Sequence, residues 1–427
     1  MINIKLPYGL TFIEASLPEL NTQLNISFLL PELRGGVNEE QVIRESLAYP
    51  LGSLPLSQLA VNKKKGVIIV SDNSRPVPSH RFLPYLVDEL KKGGMLPSQL
   101  TIVVARGAHR ALTEKEIVDL VGEDIYKNIP CINSSPECNN HIYLGKTSLG
   151  TSIWVFRPIW EADLKIVTGN LDFHRLTGFS AGIKGVFLGA VAEESIVHNH
   201  GLSLKYQTTP GQLGNNPIRK DMEEFAQVVG VDFLFNVIVG YEHQIIGAFA
   251  GDPLLAHQEG CRQLAELFQV EVEQPADLII TSPGGFPKDI NLYQTVKTLQ
   301  NAIYILKPGG TIILAAQCPE GYGNPTLAYW TEKYGANQQV QQQLEKEFIL
   351  GAHKLSYFAK ITEQAKVKMV TDLPDDLLRK LRIKKCLNLS EAIEDTCLSF
   401  DSKLSPKVVV APYGGFILPQ LGSNVNI

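Results

Sequence analysis

Two histidines stand where an imidazole could exchange protons with a bound molecule. His109 and His174 each lie in a polar segment after an apolar run, and imidazole titrates near neutral pH, so it can act as a base or an acid. A single loop histidine more often makes only a structural hydrogen bond. However, Asp72 and Arg75 follow another apolar run in the same way, adding an orienting carboxylate and an anion-binding guanidinium. Together the four side chains predict an acid/base site.

The densest group of chemically useful residues is the stretch HRLTGFSAGIKG, which begins at His174 and ends at Gly185. It combines a titratable base, three glycines and Lys184. Glycines at this density let a backbone approach a ligand closely and expose N–H donors to an anion. The stretch therefore predicts a site for a phosphate or a nucleotide.

Three common motifs can be compared with this stretch. The segment GFSAG has the GxSxG pattern of a hydrolase nucleophile elbow at Ser180, but such an elbow directly follows a strand, and the preceding strand is expected to end near Gly169. The Walker pattern fails because the spacing differs and no Ser or Thr follows Lys184. Lys184 could instead bind pyridoxal phosphate as a Schiff base, although that interpretation leaves the histidines unexplained.

His198-Asn199-His200 offers imidazole nitrogen to a borderline metal ion. Such a pair in a loop is more often a surface or capping feature, and in a strand only one of the two histidines would face inwards. On its own the pair is a weak prediction of a metal site.

Tyr293-Gln294-Thr295-Val296-Lys297 lies at the expected start of a helix. An ordinary amphipathic helix with an exposed lysine would explain the segment. An ammonium can equally bind a carboxylate through a charge-assisted hydrogen bond. Both interpretations stay open at this point.

These residues lie between elements that alternate in type. Apolar β-branched runs predict strands, and amphipathic segments between them predict helices, one of which opens with a capping box at residues 113–116. The alternation indicates an α/β fold with mainly parallel sheets, whose ligands bind beyond the carboxyl ends of the strands, so Asp72, Arg75, His109 and His174 would converge there. The predicted strands of the first sheet are 66–72, 100–105, 163–169 and 231–240, and the predicted helices are 80–93, 113–122, 217–229 and 252–268.

The length of 427 residues predicts two domains, because single cores stop growing at about 250–300 residues. We expect an N-terminal α/β domain over 1–272, a linker at 271–275 and a smaller C-terminal α/β domain over 276–400. The strand KVVVAP at 407–412 could pair in either sheet, so residues 405–427 could rejoin the first domain. We expect the active site in the cleft between the domains, a common place for ligand sites.

The composition limits the class of protein. Apolar residues make up 44% and charged residues 19%, which is typical of a compact globular protein. The formal net charge of −5 provides no broad basic surface for a nucleic acid. Six scattered cysteines form no CxxC pair, the N-terminus lacks a signal-peptide pattern, and no apolar run approaches the ~20 residues of a membrane helix. We expect a cytoplasmic protein with no nucleic-acid or membrane partner.

Taken in order, five segments resemble the nickel-dependent lactate racemase family, which comprises nickel-pincer racemases and epimerases of 2-hydroxy acids. The order and spacing of these segments match those of the family over most of the chain. The combination is far more specific for the family than any one segment. The segments are DNSRP at 72–76, GAHRALTEKE at 107–116, HRLTGFSAGIKG at 174–185, His200 and YQTVK at 293–297.

The resemblance implies a nickel-pincer cofactor, pyridinium-3,5-bisthiocarboxylic acid mononucleotide, linked to Lys184 through a thioamide, with the nickel also bound by His200. It implies that hydride moves reversibly between a small 2-hydroxy acid and this cofactor while His109 and His174 alternate as acid and base. Separate proteins would make the cofactor and insert the nickel. By the same resemblance, the segment against the cofactor is Asp72, Asn73, Ser74 and Arg75, and the substrate-binding residues are Arg75, Tyr293, Gln294 and Lys297.

Two departures from the lactate enzymes concern the substrate. Arg175-Leu176-Thr177 stands where smaller or aromatic residues are expected, and Tyr357-Phe358 stands where a tryptophan is expected. Changed pocket side chains could suit a larger or more polar 2-hydroxy acid, such as malate, a hydroxyglutarate, phenyllactate or an aldonic acid. The extra guanidinium of Arg175 favours a second carboxylate or several hydroxyls.

Two other classes of function remain open from the sequence. A serine hydrolase would use Ser180 as its nucleophile. A non-catalytic protein that binds the nickel-pincer nucleotide would take up the cofactor without turnover, and His109 would then be dispensable.

Overall fold

The computed structural model describes residues 2–17, 24–30, 36–73, 77–107, 109–189, 191–401 and 405–422. The chain divides into two compact units: unit A comprises residues 33–266, and unit B comprises residues 1–32 together with 267–427. The sequence places residues 1–32 with the N-terminal domain, whereas the structure places them with the C-terminal part of the chain.

Twenty strands are present in these described ranges. In chain order they are β1 (Asn3–Tyr8), β2 (Thr11–Ser16), β3 (Asn25–Phe28), β4 (Gly66–Ser71), β5 (Leu100–Ala105), β6 (Cys131–Asn133), β7 (His141–Lys146), β8 (Ser152–Phe156), β9 (Leu164–Asn170), β10 (Phe173–His174), β11 (Gly178–Phe179), β12 (Phe233–Val239), β13 (Ile245–Gly251), β14 (Gln269–Val272), β15 (Ala276–Thr281), β16 (Leu306–Ala315), β17 (Lys366–Val370), β18 (Ile383–Cys386), β19 (Lys407–Ala411) and β20 (Leu418–Leu421).

Sixteen α-helices are found in the same part of the chain. They are α1 (Glu39–Ala48), α2 (Leu56–Leu59), α3 (Ser79–Lys92), α4 (Glu114–Val121), α5 (Glu123–Asn128), α6 (Arg157–Trp160), α7 (Lys184–Gly189), α8 (Glu193–Gly201), α9 (Pro217–Val229), α10 (Leu255–Phe268), α11 (Leu292–Ile303), α12 (Pro325–Tyr334), α13 (Gln338–Lys346), α14 (His353–Gln364), α15 (Asp375–Lys380) and α16 (Leu389–Cys397). None of the helices in the described segments has the length and apolar character needed to span a membrane.

Unit A is built on a six-stranded sheet with the order β13-β12-β9-β4-β5-β6. Neighbouring strands are parallel except for the pair β12 and β13. The central strand β4 has the sequence GVIIVS and is almost fully buried, because a parallel strand covered on both faces needs a continuous apolar run. Phe82 and Leu86 of α3 join Ile68 and Val70 of β4 in one core. The predicted α/β fold with mainly parallel sheets is confirmed.

Unit B has a second six-stranded sheet, β18-β17-β16-β15-β19-β3, in which all neighbours are parallel. The strand near the C-terminus, β19, pairs with β15 in this sheet and does not rejoin the sheet of unit A. Residues 1–32 belong here because β3 pairs with β19 and the β1–β2 hairpin buries Ile4 and Leu6 against Leu278. The N–H of Gly9 in the hairpin turn also donates to the Asp289 carboxylate at 2.7 Å.

Candidate active site

His109 and Asp72 form a hydrogen-bonded pair beyond the ends of two neighbouring strands. Asp72 follows β4 and is 4% exposed, and His109 lies in the loop after β5. The His109 Nδ1 is 2.6 Å from the Asp72 Oδ2. Because an ionised carboxylate only accepts hydrogen bonds, the ring proton is on Nδ1 and the lone pair of the neutral imidazole is on Nε2. The pair has the arrangement of a general base with an orienting carboxylate.

Arg106 stabilises the loop that contains His109 through hydrogen bonds to main-chain oxygens, a role that the sequence did not predict. The Arg106 Nη1 donates to the main-chain oxygen of His109 at 2.6 Å, and its Nε donates to the main-chain oxygen of Ser134 at 2.7 Å. In return, the His109 N–H donates to the Arg106 oxygen at 3.0 Å. The only signal in the sequence is a basic residue directly after a buried strand, which does not distinguish a backbone support from a ligand-binding group.

A second polar network joins Asn73 to helix α4. The Asn73 Nδ2 donates to the Glu116 Oε1 at 3.0 Å, and Arg110 donates to both carboxylate oxygens of Glu116. The predicted capping box is confirmed, because Glu116 accepts from the Thr113 N–H at 2.8 Å and the Thr113 hydroxyl accepts from the Glu116 N–H. The hydrogen bonds from Arg110, and then those with Thr113, lower the pKa of Glu116 to about 2.

Replacing Glu116 by glutamine is expected to lower the free energy of unfolding by about 1 kcal/mol at neutral pH, a value reduced for solvent screening. Because the folded-state pKa of Glu116 is depressed, its stabilisation is present above the ordinary value of 4.5 and is lost as the pH falls towards about 2. Urea unfolding of both proteins across this range should therefore show two curves that converge at low pH. A constant difference would contradict the assignment.

His174 lies on a short hairpin after β9, which is the other neighbour of β4 in the sheet. Strands β10 and β11 pair antiparallel, with His174 opposite Gly178. The His174 Nδ1 is 3.0 Å from the Thr177 Oγ1 and 3.2 Å from the backbone nitrogens of both Leu176 and Thr177. The ring is thus held through Nδ1, and Nε2 is the nitrogen through which it would exchange a proton.

Lys184 is the first residue of α7 and is 4% exposed. Two glycines before it, Gly178 and Gly182, have φ values of +73° and +60°. A side chain at Gly178 would collide with the main chain of Gln212, and one at Gly182 would collide with the ring of His257. Turns and close packing within the protein therefore require these two glycines. They give no support to the phosphate site predicted from the glycine density.

Ser180 lacks the surroundings of a hydrolase nucleophile. The two-residue strand β11 precedes it directly, although the sequence places the end of the preceding strand near Gly169. The Ser180 hydroxyl donates to the main-chain oxygen of Asn170 at 2.8 Å. The Nε2 of His257 contacts the main-chain oxygen of Ser180 and not its hydroxyl. This geometry opposes the serine hydrolase alternative.

A buried pair, His257 and Arg219, supports the same loop, and sequence analysis missed both residues. The His257 Nε2 donates to the Ser180 oxygen at 2.8 Å, and the Arg219 Nη2 donates to the His257 Nδ1 at 3.0 Å. Burial, and then the charge of Arg219, holds the pKa of His257 well below its usual range. The Asn236 side chain accepts from the Gly182 N–H at 2.9 Å. In the sequence these residues look like ordinary positions of two helices and a strand.

His198 and His200 lie on helix α8, whereas the sequence suggested a loop or a strand. His200 is 8% exposed, while His198 is exposed and its Nδ1 is 2.9 Å from the Thr151 Oγ1. Between them, the Asn199 amide donates to the buried Asp221 carboxylate at 2.7 Å. Two positions apart on a helix, side chains differ in direction by about 200°. The helix therefore separates the two histidines and makes His200 the buried candidate ligand.

The predicted substrate residues of unit B share the first two turns of α11: they are Tyr293, Gln294 and Lys297. The side chain of Asn291 caps this helix by accepting from the Gln294 N–H at 3.1 Å. The Tyr293 ring packs edge-to-face with the ring of His353, and the Lys354 amine lies 5.0 Å from the centre of the Tyr293 ring. An aromatic and basic cluster thus adjoins Tyr293.

The candidate residues divide between the two units. Asp72, His109 and His174 follow three adjacent strands of the sheet in unit A, and the first two are in direct contact. Ser74 and Arg75 lie outside the described residues. Within the ranges that the structure describes, no group of three or more His, Cys, Asp or Glu side chains could hold a metal ion.

Comparison with known proteins connects this arrangement to one family. Residues 8–210 match the family model described as lactate racemase N-terminal domain, and residues 271–418 match the lactate racemase C-terminal domain. The lactate racemase of Thermoanaerobacterium thermosaccharolyticum is 32% identical over 95% of this chain and 97% of its own length. The lactate racemase of Lactiplantibacillus plantarum is 33% identical over 92% of this chain and 94% of its own length.

Solved structures give the same relationship. The lactate racemase apoprotein from Thermoanaerobacterium thermosaccharolyticum covers 98% of this chain and 100% of its own, with a TM-score of 0.87 and 32% identity. A crystal structure of a Thermotoga maritima protein covers 92% of this chain and 100% of its own at a TM-score of 0.68, but its 16% identity shows the fold alone. Two family models that together span most of the sequence, and relatives above 30% identity, show that the chain belongs to the lactate racemase family and is an isomerase.

Proposed function

We propose that the protein is a nickel-pincer racemase or epimerase of a 2-hydroxy acid, either lactate or a related acid. The proposal rests on the hydrogen-bonded pair of His109 and Asp72, which forms a general base at the end of the sheet. Inversion of a carbon centre needs a second acid/base group for the opposite face. His174, which follows the strand on the other side of β4, is the candidate for that group.

Lys184 and His200 fit the cofactor that the family resemblance implies. Lys184 has the primary amine that a thioamide link requires, and imidazole is a ligand that nickel accepts. Both side chains are buried, at 4% and 8% exposure, so an attached group would begin in a water-poor part of unit A. When bound, the cofactor would supply a pyridinium ring that accepts the hydrogen of the hydroxyl-bearing carbon as hydride and returns it.

The residues of the chain would handle the protons and the carboxylate. His109 takes the hydroxyl proton of the substrate at Nε2, and Asp72 stabilises the imidazolium that forms. Loss of this proton, together with the hydride that the bound cofactor would accept, would leave a planar 2-keto acid. His174 would then give a proton to the keto oxygen, and return of the hydride to the opposite face of the carbon would invert the centre. The residues proposed to bind the substrate are Arg75, Tyr293, Gln294 and Lys297, and those proposed to lie against the cofactor are Asp72, Asn73, Ser74 and Arg75.

Replacing Asp72 by asparagine is expected to reduce kcat/KM by about 100- to 10,000-fold, because an amide would allow the His109 ring to place its proton on the wrong nitrogen. The side chain keeps its shape, so the fold should be unaffected. Asp88→Asn on the exposed surface of α3 is the matched control and should retain full activity. An Asp72→Asn enzyme with wild-type kcat/KM would contradict the role of the pair.

Arg175 bears on the class of substrate. It places a guanidinium next in sequence to His174, which favours an acid with a second carboxylate or several hydroxyls.

The cysteines bear on the compartment in which the enzyme works. All six are free thiols, as is usual in a reducing compartment. We propose that the enzyme works in the cytoplasm, together with separate proteins that make the cofactor and insert nickel.

Co-expression with the cofactor-biosynthesis proteins and nickel, followed by chiral chromatography, tests the function. Single stereoisomers of lactate, malate, phenyllactate, 2-hydroxyglutarate and gluconate are supplied one at a time. We expect inversion at C2 of at least one acid, and that acid identifies the substrate class. Bound nickel and a modified Lys184 without inversion of any acid would favour the non-catalytic binding protein instead.

A further inference from the structure

The Nδ1 of His174 lies within hydrogen-bond distance of three groups, which differ in whether they can donate or accept a hydrogen bond. The backbone N–H groups of Leu176 and Thr177 both lie 3.2 Å from this atom, and they can only donate. The Thr177 Oγ1 lies 3.0 Å from the same atom. A hydroxyl has one proton as well as lone pairs, so its role towards His174 depends on where its proton goes.

The proton of the Thr177 hydroxyl has another acceptor. Thr177 is fully buried, and its Oγ1 donates to the main-chain oxygen of Phe179 at 2.8 Å. Towards His174, the Oγ1 therefore offers a lone pair. It can accept a hydrogen bond from Nδ1 whenever Nδ1 is protonated.

The two backbone N–H groups select the neutral form of His174. They require a lone pair on Nδ1, which places the ring proton on Nε2. His109 has the opposite form, because the Asp72 carboxylate keeps the proton on Nδ1. The two histidines are therefore not equivalent: in the neutral state, the Nε2 of His109 is a hydrogen-bond acceptor and the Nε2 of His174 is a donor.

We propose that Thr177 is a positioning residue for proton transfer by His174, an inference that rests on the proposed function. As an imidazolium, His174 gives a proton from Nε2, and the neutral ring left after this step keeps its one proton on Nδ1 until Nε2 takes a proton again. In both of these working states Nδ1 bears a proton, unlike in the resting neutral ring. Of the three neighbours of Nδ1, only the Thr177 Oγ1 can accept that proton's hydrogen bond, while its own proton stays on the Phe179 oxygen. Thr177 thus supports His174 as Asp72 supports His109, but as a neutral and weaker partner.

Nitrogen NMR of histidine-labelled protein tests this assignment without cofactor or substrate, and His174→Gln identifies the signals of His174. At a pH where the rings are neutral, we expect the proton of His174 on Nε2 and that of His109 on Nδ1. When the rings are protonated, the Nδ1–H of His174 should exchange with water about tenfold faster or more in Thr177→Val than in wild type. Thr177→Ser, which restores the hydroxyl, should restore slow exchange.

Activity of the loaded enzyme provides a second readout. We expect kcat/KM of Thr177→Val to fall by about 10- to 100-fold, as for other residues that orient a reacting group, and Thr177→Ser to recover most of it. Thr208→Val is the matched control, because the Thr208 hydroxyl donates to the main-chain oxygen of Arg175 at 3.0 Å and does not touch the imidazole. This control should remain close to wild type.

The outcomes separate the two proposals. Equal exchange of the Nδ1–H in wild type and Thr177→Val overturns the role of Thr177. Wild-type kcat/KM in Thr177→Val overturns it as well. A wild-type enzyme that inverts no acid contradicts the proposed function, and the NMR comparison still decides the role of Thr177.

Discussion

Replacing Lys184 by alanine is expected to abolish both the covalent attachment of the cofactor and the inversion of substrate, to below detection. The primary amine of Lys184 is the group that would form the thioamide, and its position at the first residue of α7 leaves it only 4% exposed. Intact-protein mass spectrometry and nickel analysis after co-expression measure attachment, and chiral chromatography measures inversion.

Two further variants separate chemistry from folding in this experiment. Lys184→Arg keeps the positive charge, but a guanidinium is a much poorer nucleophile for such a link, so it should also lack the adduct. Lys205→Ala changes an exposed lysine and should keep adduct, nickel and activity. A wild-type adduct mass on Lys184→Ala would show that the cofactor is attached elsewhere.

Replacing His109 by glutamine is expected to lower kcat by about 10²–10⁴-fold, the range for loss of a general acid/base. The glutamine amide can still donate a hydrogen bond to the Asp72 carboxylate, but it cannot take a proton at neutral pH. The modified Lys184 and bound nickel should be unchanged, because His109 has no assigned role in attachment. Steady-state kinetics in both directions, with mass and nickel analysis of the same sample, provide the measurement.

His80→Gln is the control for this second prediction, since His80 is exposed on α3. It should retain wild-type kcat. A His109→Gln enzyme that loses nickel together with activity would assign His109 to cofactor binding. Full activity in His109→Gln would exclude it as the base.

The sequence predicted those parts of the fold that depend on local patterns. The run GVIIVS is typical of a strand at the centre of a covered parallel sheet, and β4 occupies that place. The capping box of Thr113 and Glu116 is a local hydrogen-bond pattern, and it opens α4 as expected. The pair of Asp72 and His109 followed from a topological rule, because neighbouring parallel strands end at the same edge of a sheet.

Long-range pairing could not be predicted in this way. Nothing in the short strand β3 indicates that its partner is β19, at the other end of the chain, and this pairing places residues 1–32 in unit B. The reason for a glycine at position 182 could not be predicted from the sequence either. A glycine required by the nearby His257 ring has the same local pattern as a glycine that admits a phosphate.

The supporting residues of the site were also missed, for a related reason. His257 and Arg219 are buried on two helices and act on the loop before Lys184 through hydrogen bonds that only the folded chain creates. For the histidine pair at 198–200, the sequence suggested a loop or a strand and not a helix. Its location on α8 is what buries His200.

The most direct test of the proposed reaction uses a single stereoisomer with deuterium at the hydroxyl-bearing carbon, incubated with the loaded enzyme in ordinary water. We expect the inverted product to retain the deuterium, because this hydrogen would leave and return as hydride while His109 and His174 move only the hydroxyl proton. Inversion with loss of the deuterium to water would contradict hydride transfer and indicate removal of the carbon-bound hydrogen as a proton.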